Sequence, residues 1–595
     1  MPIGLHSADI SARMTMTTPF TLRWTVLRGV RRGSATAAGV ALMIFAVAAG
    51  ADSLAVVDPL PPGPYAVGCS NVEQDFSRVL PGETAKNYWE GVPDGSRQRY
   101  VTQLLVDPVD ALIVNVNVPD DRELFVNHAT QQVPTALLVC YPTASNNPRP
   151  DYPLPAGSNA VPHMQRGAET PIWADPGVRW PVLVFSHGLV GSPLSNDYIV
   201  ALTVLASYGY VVVAPFHGDP RFADVKVDSL SDALYAALHF PTYVEMQAIR
   251  PLSTAAALDF LLGHLQYRDH VDASRIVGFG ASLGGETLLL QAGAQLTKTI
   301  GLSSKQVVAD TRLKAIVGYV PYFGQSFLPA FGRDQKGLDN FTTPFLGIAG
   351  FSDTTAPIDA TIQGVLRLHG SRELLGLEGV GHFFDFPSAP DIFTWSLIFF
   401  AAHAQDDRTA RAQIARMVSV RGGGDDRLII DYTAPAALSA GERVTIEYHA
   451  ASLNHYFETA EPAEAASLDA GILVPGWVRT GFDFKSWTVE SGIGVPACRF
   501  FGTPGSGPNT HVFSINVVEC NKLHADSRWK FEGLAFDEQA PIAEDCPIGR
   551  IPVTRLYNNG MGGEANHRYL TSHSEIHATA AAGWLVEGVV FCAPP

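Results

Sequence analysis

Basic residues are scarce in this sequence. Its 595 residues carry 41 Lys and Arg against 58 Asp and Glu, a formal charge of −17. No Lys/Arg cluster lies beyond residue 32. Nucleic-acid binding needs a basic face that displaces phosphate counterions, so that role is disfavoured. Cysteine is sparse too: Cys69, Cys140, Cys498, Cys520, Cys546 and Cys592. None belongs to a CxxC pair or a Cys/His ligand spacing, which argues against a metal site. The even number suits an oxidising compartment. The simplest pairing there is Cys69–Cys140 plus two bridges among the last four, whose partners the sequence leaves open. Despite 54 Gly and 42 Pro, no tract is long enough to make the chain fibrous or disordered. With 46% hydrophobic residues and roughly 100–200 residues per domain, two or three globular domains are expected.

Arg23, Arg28, Arg31 and Arg32 precede an uncharged apolar run, Ala35–Ala51, that ends in Ala49-Gly50-Ala51. A basic segment, an apolar segment and a small-residue end read as a signal peptide over 1–51, with export to the periplasm or medium. The alternative is an uncleaved membrane anchor, since ~18–20 apolar residues span a bilayer. Cleavage would remove five Arg and one Asp and leave a charge of −21. Such an acidic surface suits a soluble exported protein.

Residues 52–64 form a Pro-rich linker, and 65–175 mix strand-like runs such as Thr135–Cys140 with loops. From Trp180 onward, short apolar runs alternate with helical periodicity. Val182–Phe185, Val211–Phe216, Arg275–Gly280, Lys314–Tyr319 and Phe345–Ala349 read as strands. Asn196–Tyr208, Tyr243–His264, Leu283–Gln295 and Ile358–His369 read as helices. Buried strands alternating with helices predict an α/β fold, a mostly parallel sheet covered on both faces. The pattern ends near residue 404, and 405–440, with its Gly-Gly-Gly-Asp-Asp stretch, reads as a linker.

The strand at Arg275–Gly280 runs directly into Gly280-Ala281-Ser282-Leu283-Gly284-Gly285 and then a helix. This is G-x-S-x-G in strand–turn–helix context, a nucleophile elbow. The turn is so tight that Gly280 and Gly284 must lack side chains, and it lifts Ser282 Oγ above the sheet. Serine needs a base, and the base needs a carboxylate to orient it. In this architecture both follow the serine in chain order. Asp353 lies in the loop after the Phe345–Ala349 strand, 71 residues on from Ser282. His382 lies in the loop after a strand-like Glu373–Leu377, another 29 residues on. The plainer readings are a helix cap for Asp353 and a surface loop position for His382. Asp385 is the fallback acid. A tetrahedral intermediate needs two N–H donors. Leu283, which starts the helix, is one. Leu189 is the other, in the loop His187-Gly188-Leu189 after Val182–Phe185, where Gly188 permits close approach. His187 is read as a packed support for that loop.

These motifs carry a resemblance. Residues 180–405 resemble the α/β-hydrolase superfamily in Phe185-Ser186-His187-Gly188, the Ser282 elbow with its extra Gly285, Asp353 and Gly381-His382-Phe383. The similarity is greatest to the branch holding platelet-activating-factor acetylhydrolases, dienelactone-hydrolase-like enzymes and bacterial polyester hydrolases. It implies hydrolysis of carboxylic esters without metal or cofactor. The long N-terminal part and an insertion at His217–Pro241, read as a lid or pocket wall, depart from it. Phe216, Tyr319, Tyr322, Phe323, Phe383 and Phe384 are candidates to line an acyl or aromatic pocket.

Residues 444–595 hold a threefold repeat. His455, His511 and His567 are spaced by 56 residues each time. Trp477, Trp529 and Trp584 each precede a glycine by four: Gly481, Gly533 and Gly588. The unit resembles a repeat domain of unknown function found in secreted bacterial proteins, including hydrolases. Three β-rich copies predict an all-β domain over 441–595, a closed barrel of the β-trefoil-like kind. Its repeated residues are read first as fold determinants, and second as part of a module that binds a carbohydrate, polymer or cell surface.

The leading expectation is therefore a secreted serine ester hydrolase spanning 65–404 with an appended binding module. Its partner is an ester substrate. Lipase-like, phospholipid-acetylhydrolase-like, polyester-degrading, amidase and C–C hydrolase activities share the triad chemistry and stay open. A surface- or polymer-binding protein with a vestigial hydrolase domain is the competing class.

Overall fold

A computed structural model describes residues 55–94, 97–155, 159–224, 238–471, 474–561 and 564–595. The signal peptide expected at 1–51 lies outside these residues, as does 225–237 of the insertion.

The centre of the molecule is one ten-stranded sheet. Its strands are β1 (Ala66–Cys69), β2 (Ile113–Asn117), β3 (Gln132–Thr143), β4 (Trp180–Ser186) and β5 (Val211–Pro215). They continue with β6 (Val271–Ala281), β7 (Leu313–Tyr319), β8 (Phe345–Gly350), β9 (Arg372–Leu377) and β10 (Asp426–Tyr432). The order is β1-β3-β5-β4-β6-β7-β8-β9-β10, with β2 also on β3. All neighbours from β5 through β9 are parallel. The flanking pairs are antiparallel. The sheet is thus mixed, with a parallel middle.

The flanking helices are α1 (Asn196–Ser207), α2 (Phe240–Gly263), α3 (Leu283–Gln291), α4 (Ile358–Val365), α5 (Ala389–Ala404) and α6 (Arg408–Ile414). Side chains alternate across each strand. Leu183 and Phe185 therefore join the core under α1 and α5, while Val182 and Val184 join the core under α2 and α3. Both faces are covered, as continuous apolar strands require.

Two stretches expected as linkers are built into this body. Val56 and Val57 pair in parallel with Ser419 and Val420, and the Leu60 N–H donates to Thr394 Oγ1. Residues 405–440 supply α6 and β10, the sheet's last strand. The apolar run Leu428-Ile429-Ile430 marks β10, but it stands directly behind the Gly-Gly-Gly-Asp-Asp stretch that reads as linker, and only Ile430 of the strand is buried.

The repeats are strand–strand–helix–strand units. Copy one is β11 (Glu442–Ala450), β12 (His455–Thr459), α7 (Pro462–Asp469) and β13 (Trp477–Trp487). Copy two is β14 (Val495–Gly502), β15 (His511–Ser514), α8 (Val517–Ala525) and β16 (Trp529–Glu538). Copy three is β17 (Ile551–Tyr557), β18 (His567–Leu570), α9 (His573–Ala581) and β19 (Leu585–Ala593). The region is β-rich and antiparallel, in one six-stranded and one three-stranded sheet. The expectation of an all-β barrel is corrected, because every copy carries a helix. Equivalent aromatics make the shared core: Phe457, Phe513 and Tyr569, with Phe484, Phe536 and Phe591. Gly481, Gly533 and Gly588 all have positive φ (90°, 121° and 102°) beside a break in strand register. The recurring glycine is therefore a β-bulge device. All six cysteines pair: Cys69–Cys140, Cys498–Cys520 and Cys546–Cys592. No helix among the described residues is long and apolar enough to cross a membrane.

Candidate active site

Because β4, β6, β8 and β9 are parallel, their C-terminal ends lie along one edge of the sheet. Ligands bind at such edges in open α/β sheets. The loops there carry His187–Leu189, Ser282, Asp353 and His382.

Ser282 sits between β6 and α3 with φ 54° and ψ −121°, a conformation L residues rarely hold. Its N–H donates to the Tyr319 carbonyl, and its own carbonyl accepts from Tyr322 N. The glycines explain the turn. A Cβ on Gly280 would lie 2.3 Å from the Gly284 carbonyl oxygen, and one on Gly284 would lie 1.8 Å from that of Ser186.

Ser282 Oγ lies 2.8 Å from His382 Nε2, and His382 Nδ1 lies 2.8 Å from Asp353 Oδ2. The second bond makes Nδ1 the protonated nitrogen, so Nε2 is the free base facing the hydroxyl. The other oxygen of Asp353 accepts from Thr355 N and Ala356 N. Asp353 thus both caps a turn and orients the imidazole. Asp385, the fallback acid, instead accepts from Ser388 N and Oγ. The His382 loop is fastened from below. Tyr319 Oη donates to the Phe383 carbonyl and accepts from Asp385 N.

Gly188 approaches Ser282 so closely that a Cβ on it would stand 3.3 Å from the serine Cβ and 2.6 Å from Tyr198 Oη. In this loop the N–H groups of Gly188, Val190, Gly191 and Ser192 donate to Tyr198 Oη, Asp219 Oδ2, the Gly188 carbonyl and Ser195 Oγ. Neither Leu189 N–H nor Leu283 N–H has an acceptor among the described residues. His187 is fully buried; its Nδ1 donates to the Gly188 carbonyl and its Nε2 accepts from His217 N. Burial, aided by the charge of Arg250, pushes its pKa down to about 4, so the ring is neutral. His217, driven low by burial, bridges Ser186 Oγ and Ser253 Oγ.

The aromatic candidates divide. Phe216, Tyr319 and Phe323 are core residues, whereas Phe383 is 86% exposed next to His382. A cavity of about 580 Å³ lies elsewhere, at the junction with the repeats, lined by Arg372, Tyr432 and Arg479 among others.

Residues 158–227 match the family model for platelet-activating factor acetylhydrolase, isoform II. The matched stretch holds β4, the His187–Leu189 loop, α1 and β5, and supports an α/β-hydrolase-like family acting on esters. Residues 444–594 match a domain of unknown function, DUF5648. No curated protein matches the chain.

Tyr198, Asp219 and Arg250 escaped sequence reasoning. The one signal for Arg250 is a charge on the buried stripe of α2, between Met246 and Thr254 at helical spacing.

Proposed function

We propose that this chain is an exported serine hydrolase that cleaves carboxylic esters through Ser282, His382 and Asp353. The hydrogen-bond chain from Ser282 Oγ through His382 to Asp353 carries the reading. His382 Nε2 takes the hydroxyl proton as Ser282 attacks the ester carbonyl. The oxyanion is held by the Leu189 and Leu283 N–H groups, a loop donor and a helix-start donor that have no acceptor among the described residues. His382 then protonates the departing alcohol, and water deacylates the enzyme by the same route. The matched family is named for an acetylhydrolase, which favours a short acyl group. The repeats are read as a module that docks the enzyme on a carbohydrate, polymer or cell surface. Three disulfides agree with export.

The deciding experiment is Ser282→Ala assayed on p-nitrophenyl esters of increasing chain length. Turnover should fall by at least ~10³-fold with the fold intact. Parent-like turnover in the variant would overturn the proposal. A fluorophosphonate probe that fails to label Ser282 would instead favour a vestigial domain attached to a binding module.

A further inference from the structure

Leu189 and Leu283 belong to segments far apart in the chain, yet one buried side chain reaches the supports of both. Arg250, in the middle of α2, is 1% exposed. Its Nη1 donates to both oxygens of Asp219, at 2.6 and 2.7 Å. Its Nη2 donates to the His187 carbonyl, and its Nε donates to Thr287 Oγ1 at 2.9 Å. Thr287 in turn donates to the Leu283 carbonyl at 2.7 Å. Asp219 Oδ2 accepts the Val190 N–H at 2.9 Å.

The pair therefore grips the backbone on either side of Leu189: the carbonyl of His187 before it and the N–H of Val190 after it. Val190 is held at φ 52°, which a β-branched residue does not adopt unaided. Through Thr287 the same guanidinium holds the first turn of α3. A buried ion pair is weak evidence for stability, since apolar replacements are often neutral or stabilising. The rigid fork of an arginine fits a geometric duty instead.

We infer that Arg250 and Asp219 form a positioning unit that sets the separation and aim of the Leu189 and Leu283 N–H donors. This rests on the ester-hydrolase reading above. It also gives the start of the insertion a task, because Asp219 opens that segment.

The test is kinetic. Arg250→Met alone leaves a buried, unpaired carboxylate and threatens folding. The double variant Arg250→Met/Asp219→Leu removes the pair together. In the folded double variant kcat on p-nitrophenyl acetate should drop about 30- to 300-fold, with KM within about threefold. Affinity for a boronic acid, which forms a tetrahedral adduct on Ser282, should drop by the same factor. Affinity for the acetate product should stay unchanged. Arg250→Lys, which keeps the charge but loses the fork, should fall between; it carries the test if the double variant does not fold. A parent-like kcat in either folded variant overturns the inference. So does a parallel loss of kcat, boronate and acetate affinity, which would mark a merely structural role. Parent-like turnover by Ser282→Ala is a separate outcome, and it overturns the ester-hydrolase reading itself.

Discussion

At the scale of single residues, the elbow is a problem of space. Gly284 faces the Ser186 carbonyl at a distance no Cβ tolerates, and backbone cannot swing aside as a side chain does. Gly284→Ala should therefore cost about 1–3 kcal/mol in chemical denaturation and distort the turn that aims Ser282. An unchanged denaturation midpoint would contradict this. One helical turn from Ser282, Glu286 is buried, and its carboxylate accepts from Gln247 Nε2 at 2.9 and 3.1 Å. Burial pushes its pKa up from 4.5 to about 8. Between those values the folded chain binds more protons than the unfolded one, so stability falls as pH rises through the window. Glu286→Gln keeps an acceptor for Gln247 and removes the titration. Its melting-temperature advantage over the parent should be small at pH 5 and larger at pH 8. Melts showing an equal difference at both pH values would refute it.

Ser282, Asp353 and His382 were legible because chain order and loop position constrain them together. Arg250 and Asp219 were not, because neither belongs to a motif and their meaning lies in contacts across 31 residues of chain.

At the scale of elements, legibility followed burial. Strands β4 through β9 are apolar because both faces are covered, and their boundaries read within a few residues. The exception is β6, which begins four residues early at Val271, where its pairing with β4 is broken by a register shift. Helices α8 and α9 of the repeats are silent in the sequence for the converse reason: α8 buries no residue and α9 buries only Thr579, so neither has an apolar period. Their starts are marked by caps instead. Asn516 and Ser572 accept from the backbone of Glu519 and Glu575, each three residues on. Strand β10 hid behind glycines. It covers β9, whose Leu374, Leu375 and Leu377 are fully buried, and Asp426 accepts from Trp395 Nε1. A chain ending at residue 440 keeps that edge paired and should melt cooperatively. A chain ending at 404 leaves β9 as an open apolar edge and should aggregate. Equal solubility of the two truncations would show that β10 is dispensable.

At the scale of the whole molecule, the repeats close on one another and then on the hydrolase. Arg499 pairs with Glu464 of the preceding copy, Arg555 with Glu519, and Arg568 of the last copy returns to Glu447 of the first. The junction with the sheet is equally specific. Arg416, 4% exposed, pairs with Asp545 and donates to the Cys546 carbonyl. Asp431 of β10 accepts from Ser572 Oγ, His573 N, Ser574 N and Ser574 Oγ. A carboxylate of the ten-stranded sheet thus caps a helix of the third repeat, so sheet and repeats share a secondary-structure terminus. Asp431 faces Glu373, near the start of β9, whereas His382 follows that strand's far end. The cap and the His382 loop are therefore at opposite ends of the same strand pair. Asp431→Ala should cost roughly 1–2 kcal/mol, the usual value of a lost cap. Protease cleavage between 433 and 441 should speed up, while turnover of p-nitrophenyl acetate stays at the parent's rate. If turnover fell in step with cleavage, the junction would be part of the catalytic body rather than a clasp between two modules. If cleavage did not change, the cap would not be what holds them together.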